Sequence, residues 1–171
     1  MMPLPSTELD PIALTDMLNA FYGAFSPACF ALLGLWLVVV QIRIGDWRDS
    51  ESKKRMSYVI SLNFLLPGLM GVLSLVDPSH AFWQVSFAII AFGGAVGSYL
   101  VRGFPTGDRL GAAGYWAAIV LYLVVGSLAI IGGLDVLRTE AVLLTALIFV
   151  NFNIAWLLLF SSAPEPQAAD A

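Results

Sequence analysis

The sequence is poor in the residue types that a water-soluble domain or a metalloenzyme draws on. Of its 171 residues 12% are charged, against about 25% in a typical soluble domain, too few to cover a water-facing surface. A single cysteine, Cys29, excludes an intrachain disulfide and a multi-thiolate metal site. A single histidine, His80, excludes haem or zinc ligation by a histidine set within one chain. No cofactor, metal or nucleic-acid partner is expected. HExxH, P-loop and GxSxG motifs are missing, so no catalytic residue is assigned and no enzyme is expected. "DPSH", residues 77 to 80, places an Asp, a Ser and the His in a row. A hydrolytic triad needs those groups oriented about one substrate, and the string reads more simply as a turn capping the next helix.

What the chain has in quantity is apolar residues, 59% of the total. They form five runs, roughly 18–41, 57–76, 81–101, 113–133 and 141–161, each near the ~20 residues that cross a bilayer. The pattern predicts an all-α, polytopic integral membrane protein with one five-helix transmembrane domain over 15–161. Residues 1–14 and 162–171, rich in Pro, Ser and Ala, are expected to be mobile tails. The first run reads as a retained transmembrane helix rather than a signal peptide, because its flank carries Glu8, Asp10 and Asp16 and no basic residue.

Charge gives an orientation. Arg43, Arg48, Lys53, Lys54 and Arg55 lie between the first two runs, and Arg102 and Arg109 between the third and fourth. Arg138 stands alone on the other side. Basic connections stay in the cytoplasm, which places the N-terminus outside and the C-terminus inside, in a plasma membrane. Trp47, Tyr58, Tyr99, Tyr115, Trp116 and Trp156 fall near the inner boundary and Tyr22 and Trp83 near the outer one, as aromatic belts do. Lys53, Lys54 and Arg55 are candidates for contact with anionic headgroups, where each basic residue gains about 1 kcal/mol.

In lipid, water does not drive helices together, so small and polar residues mark the helix contacts. At about 100° per residue, Met56, Asn63, Pro67, Met70, Gly71 and Ser74 share one arc of the second helix. Asp16, Asn19, Gly23, Ser26, Gly34 and Gln41 share one of the first, and both arcs are expected to face the bundle interior. Gln84, Ala88, Ala91, Ala95 and Ser98 form a stripe on the third helix, beside a GxxxG pair, Gly93 and Gly97. Gly93, Gly97, Ala91 and Ala95 are read as helix-packing positions. Tyr115, Ala118, Tyr122, Gly126, Ala129 and Gly133 line the fourth. Asn151 and Asn153 point in different directions, so one of them at most serves a given cavity.

Two prolines stand out. Within a helix, proline removes a donor and pushes away the carbonyl four residues earlier, that of Gly23 for Pro27 and of Asn63 for Pro67. Both lie near mid-bilayer, where freed backbone needs a neighbouring helix, a side chain or water, and transporters build sites from such breaks. Gly23, Ser26, Pro27, Asn63, Pro67, Asn151 and Asn153 are therefore the candidate lining of a polar patch where helices 1, 2 and 5 meet.

No Asp, Glu, Lys, Arg or His occupies the centre of any run. This argues against proton coupling and voltage sensing and leaves conduction by neutral dipoles open. The carboxylates Asp46, Asp49, Glu51, Asp77, Asp108, Asp135 and Glu140 are read as scattered along the membrane edges. The expected function is a homo-oligomeric channel or passive facilitator for an ion or small solute. The alternative is a non-catalytic subunit, in contact with lipid and a membrane-protein partner, that supports a larger complex.

Overall fold

The computed structural model describes residues 11–76, 80–100 and 109–160. It contains five α-helices: α1 (Pro11–Trp47), α2 (Glu51–Val76), α3 (His80–Leu100), α4 (Arg109–Ile131) and α5 (Leu134–Phe160). All five are long and apolar enough to cross a membrane. In hydrocarbon a helix satisfies its own backbone polar groups, and a lone extended segment does not. Residues 1–10 and 162–171 of the expected tails, residue 161, the expected turn at 77–79, and residues 101–108 with Arg102 and Asp108 lie outside the described residues. Residues 11–14, assigned above to the N-terminal tail, form the first turn of α1, with Leu14 buried. With 37 residues, α1 is about 55 Å long at 1.5 Å per residue, well beyond the expected 18–41.

Two junctions show how local sequence stops one helix and starts the next. Ser50 caps α2: its hydroxyl accepts from the Lys53 N–H at 3.4 Å, and its own N–H donates to the Trp47 carbonyl at 3.1 Å. Glu51 follows at the positive end of the helix dipole. Between α4 and α5 the chain reverses through Gly132 and Gly133, with φ of +73° and +110°, a region where a Cβ is costly. The Gly132 N–H donates to Leu128 O and the Leu137 N–H to Gly133 O, each at 3.1 Å.

Each helix packs on its neighbours in sequence, α5 closes the ring on α1, and α2 also reaches across to α5. One apolar cluster joins Leu14, Leu18 and Tyr22 of α1 to Phe87, Tyr122, Leu137 and Leu144. A second, beside the α1–α2 connection, joins Trp36 and Trp47 to Ile60, Phe64, Ile154 and Leu158. Directed bonds pin these contacts: Tyr22 Oη donates to Leu137 O at 3.3 Å, Trp36 Nε1 to Ser57 O at 3.2 Å, and Tyr115 Oη to Ser98 O.

The aromatic residues divide. Tyr58, Tyr99, Trp116 and Trp156 are exposed, all toward the end of the bundle that carries the basic connection. Trp47, Tyr115, Tyr22 and Trp83 are buried and act as core residues. Tyr22 is turned inward by its bond to α5, and Trp83 packs edge-on against Phe87 with ring centres 5.6 Å apart.

Candidate functional site

The expected arc of α2 lies inside: Met56, Asn63, Pro67, Met70, Gly71 and Ser74 are all buried. Asn63 meets α5 where the two helices cross. Its Nδ2 donates to Asn151 Oδ1 at 3.2 Å, and Asn151 Nδ2 donates to Ile60 O at 3.2 Å, using a second lone pair of a carbonyl within the helix. Each amide thus satisfies part of the other. Asn63 Oδ1 is left without a partner among the described residues.

Pro67 is fully buried in the seam between α2 and α1. Beside it, a Cβ added at Gly68 would come within 3.1 Å of Cys29 Cβ and 3.3 Å of the Phe30 ring. One added at Gly71 would collide with Ser26 Oγ. The string "PGLMG", residues 67 to 71, therefore lets α1 lie close against α2. Ser26 is buried there with its hydroxyl unpaired among the described residues. Surface clefts occur elsewhere, and the lining of none of the three described includes Ser26, Asn63, Pro67 or Asn151. Within one chain the second proline adjoins packed side chains.

The remaining candidates lie apart from this seam. Gly23 and Pro27 are exposed on the far side of α1. Asn153 is exposed on α5 and donates to Phe149 O of its own helix at 2.7 Å. The expected inward face of α1 is thus corrected: Asp16, Asn19, Gly23, Gly34 and Gln41 all point outward, joined by Ala20, Ala24, Ala28 and Ala31. Leu14, Leu18, Tyr22, Ser26, Cys29 and Trp36 point inward instead. Large side chains fill the space between α1, α2 and α5, which leaves the small and polar ones on the outside. Apart from the helix's own nearby backbone, nothing among the described residues lies within 4 Å of the position a Cβ would take at Gly23 or Gly34.

On α3, Ala91 and Ala95 are buried, whereas Gly93 is exposed and Gly97 half-buried. A Cβ at Gly93 would meet nothing within 4 Å, and one at Gly97 a single Leu62 methyl at 3.8 Å. The close approach is made by Gly94, where a Cβ would stand 3.0 Å from both Leu66 and the Tyr122 ring. Gly94 shares the inward arc of Ala91, Ala95 and Ser98, and Gly93 falls about 100° away from it.

The sequence reading placed Glu140 at the membrane edge. In the structure it lies in the second turn of α5, fully buried, with neither carboxylate oxygen hydrogen-bonded among the described residues. It sits one turn after the Leu137 carbonyl that accepts from Tyr22. The sequence did carry a signal: Leu137, Glu140, Ala141, Leu144, Leu147 and Asn151 recur every three or four residues, and all are buried. Tyr122 Oη is likewise buried without a partner among the described residues. Among the described residues no three His, Cys, Asp or Glu side chains gather as metal ligands would.

The basic connection is partly self-neutralised. Arg43 pairs with Asp46 at 3.3 Å and Lys54 with Glu51 at 2.8 Å. Lys54 lines a groove between α1 and α2 together with Arg48; Lys53 and Arg55 do not line it. Comparison with known protein families, curated proteins and solved structures finds no match for this chain.

Proposed function

We propose that the chain is a non-catalytic, multi-pass protein of the plasma membrane that works by side-by-side assembly through the outer face of α1, first of all with copies of itself. The observation that carries this reading is the line of exposed Asn19, Gly23, Pro27 and Gly34 along that helix. Facing acyl chains, the Asn19 amide and the Gly23 carbonyl freed by Pro27 would lack partners, at a cost on the order of several kcal/mol. Facing another helix, the small side chains allow close backbone approach, and the polar groups find acceptors and donors. The basic connection belongs on the cytoplasmic side by the distribution of Lys and Arg, with the N-terminus outside and the C-terminus inside.

A second reading is supported by the neutral chemistry of the same line. Copies meeting around an axis would bring the Asn19 amide and the Gly23 carbonyl to a common path, where such dipoles replace hydration water. The assembly would then be a channel or passive facilitator for an ion or small solute.

The test is cysteine cross-linking in membranes, in a Cys29→Ala background. Ala31→Cys and Gly34→Cys should form disulfide-linked dimers, and Ile89→Cys, exposed on α3, should not. If the α1 positions fail to link and the chain instead co-purifies in fixed ratio with another membrane protein, self-assembly is wrong and the face serves a larger complex. If neither occurs, the assembly reading fails. Solute flux into proteoliposomes, lost in Asn19→Leu, decides the second reading.

A further inference from the structure

The groove between the end of α1 and the start of α2 is graded in polarity along its length. Its volume is about 610 Å³, within the ~300–1,000 Å³ range of small-molecule sites. Arg48 and Lys54 stand at the rim, beside the connection, and Val40, Ile44, Tyr58 and Ser61 form walls that run down the helices. Val40 and Ser61 lie about 10–15 Å from the connection at 1.5 Å per residue. The site therefore offers charge at headgroup level and a mainly apolar trough below it.

From this geometry we infer that the groove holds an anionic phospholipid, with its phosphate at Arg48 and Lys54 and one acyl chain along Val40 and Ile44. Arg48 has no ion pair among the described residues, so its charge is available to a ligand. The partner of Lys54, Glu51, is exposed, and an exposed pair of that kind is weak enough to yield to a phosphate. A guanidinium presents a fork of donors that matches two phosphate oxygens, and the ammonium adds a second positive charge. Gly45 keeps the α1 wall open: a Cβ there would meet nothing within 4 Å. A free phosphate would use the rim alone and gain nothing from the apolar walls. This inference stands independently of what covers the outer face of α1.

Native mass spectrometry of the full-length protein in a neutral detergent tests it, with phosphatidylglycerol, phosphatidylcholine of the same chains, and glycerol phosphate as ligands. Phosphatidylglycerol should bind first and at least about fivefold more tightly than phosphatidylcholine, since one basic residue near an anionic lipid is worth roughly that factor. The double variant Arg48→Gln, Lys54→Gln should lose the preference, and Lys53→Gln with Arg55→Gln should keep it. Gly45→Phe, whose added ring enters the groove from an open position, should weaken both lipids at unchanged helix content; it decides the matter if the double variant does not fold. Equal binding of the two lipids by the native protein would overturn the inference, as would glycerol phosphate binding as well as phosphatidylglycerol. So would an equal loss on changing Lys53 and Arg55, which would mean diffuse attraction without a site, or a Gly45→Phe protein with undiminished lipid binding.

Discussion

Asn151 and Glu140 lie on the same face of α5, three turns apart, and the interior treats them differently. Asn151 exchanges hydrogen bonds with α2, whereas Glu140 is enclosed with no partner among the described residues. Leaving a buried polar group unpaired costs about 1–3 kcal/mol, and exchanging it for an apolar group of similar shape recovers that cost. Glu140→Leu should therefore raise the stability of the bundle by about 1–3 kcal/mol. Asn151→Leu, which strands the Asn63 amide, should lower it by a similar amount, both read from denaturant unfolding in micelles. The meeting of Asn63 with one helix 5 asparagine was legible because Asn63 lies on a predicted arc of α2 and two residues of separation forbid using both asparagines. Glu140 was not, because the apolar run was taken to begin at 141 while the helix begins at Leu134. The exposed Asp135 and Arg138 mask a face on which the next carboxylate turns inward.

At the scale of single elements, the small-residue rule found where α2, α3 and α4 are tight and misjudged the direction of α1. Small and polar residues mark a helix contact, but nothing in that rule says whether the other helix belongs to the same chain. On α1 the arc, Ser26 apart, faces out. On α3 the GxxxG spacing drew attention to Gly93 and Gly97, whereas the packing requirement falls on Gly94, next to the rigid Tyr122 ring. The α4–α5 reversal has a sharper requirement. Gly132 has φ +73°, and an added Cβ there would also strike the Gln84 side chain. Gly132→Ala should destabilise the fold by about 1–2 kcal/mol, the cost of a left-handed L-residue. Gly93→Ala, in open space at an ordinary helical position, should be neutral or gain up to about 1 kcal/mol from helix propensity. Thermal unfolding of the two variants side by side checks the contrast.

On the scale of the whole molecule, helix number and class followed from the apolar runs because lipid leaves the backbone so few alternatives. The order of the ring was not legible, since it depends on which side chains interlock. That order sets α1 and α3 on either side of α2, touching each other through the Tyr22 and Phe87 rings, whose centres are 6.2 Å apart. The described lengths of α1 and α3, 37 and 21 residues, correspond to about 55 and 32 Å, so α3 matches a hydrocarbon core of about 30 Å and α1 overshoots it. In a bilayer, the excess length of α1 would strain the surrounding lipid by a fraction of a kcal/mol per Å of mismatch. Two copies assembled through α1, as proposed, would relieve that strain by turning these long helices together and sharing one distorted annulus of lipid. Dimer yield from Gly34→Cys should thus rise as the acyl chains of the host vesicle are shortened, which would make membrane thickness itself a control on association.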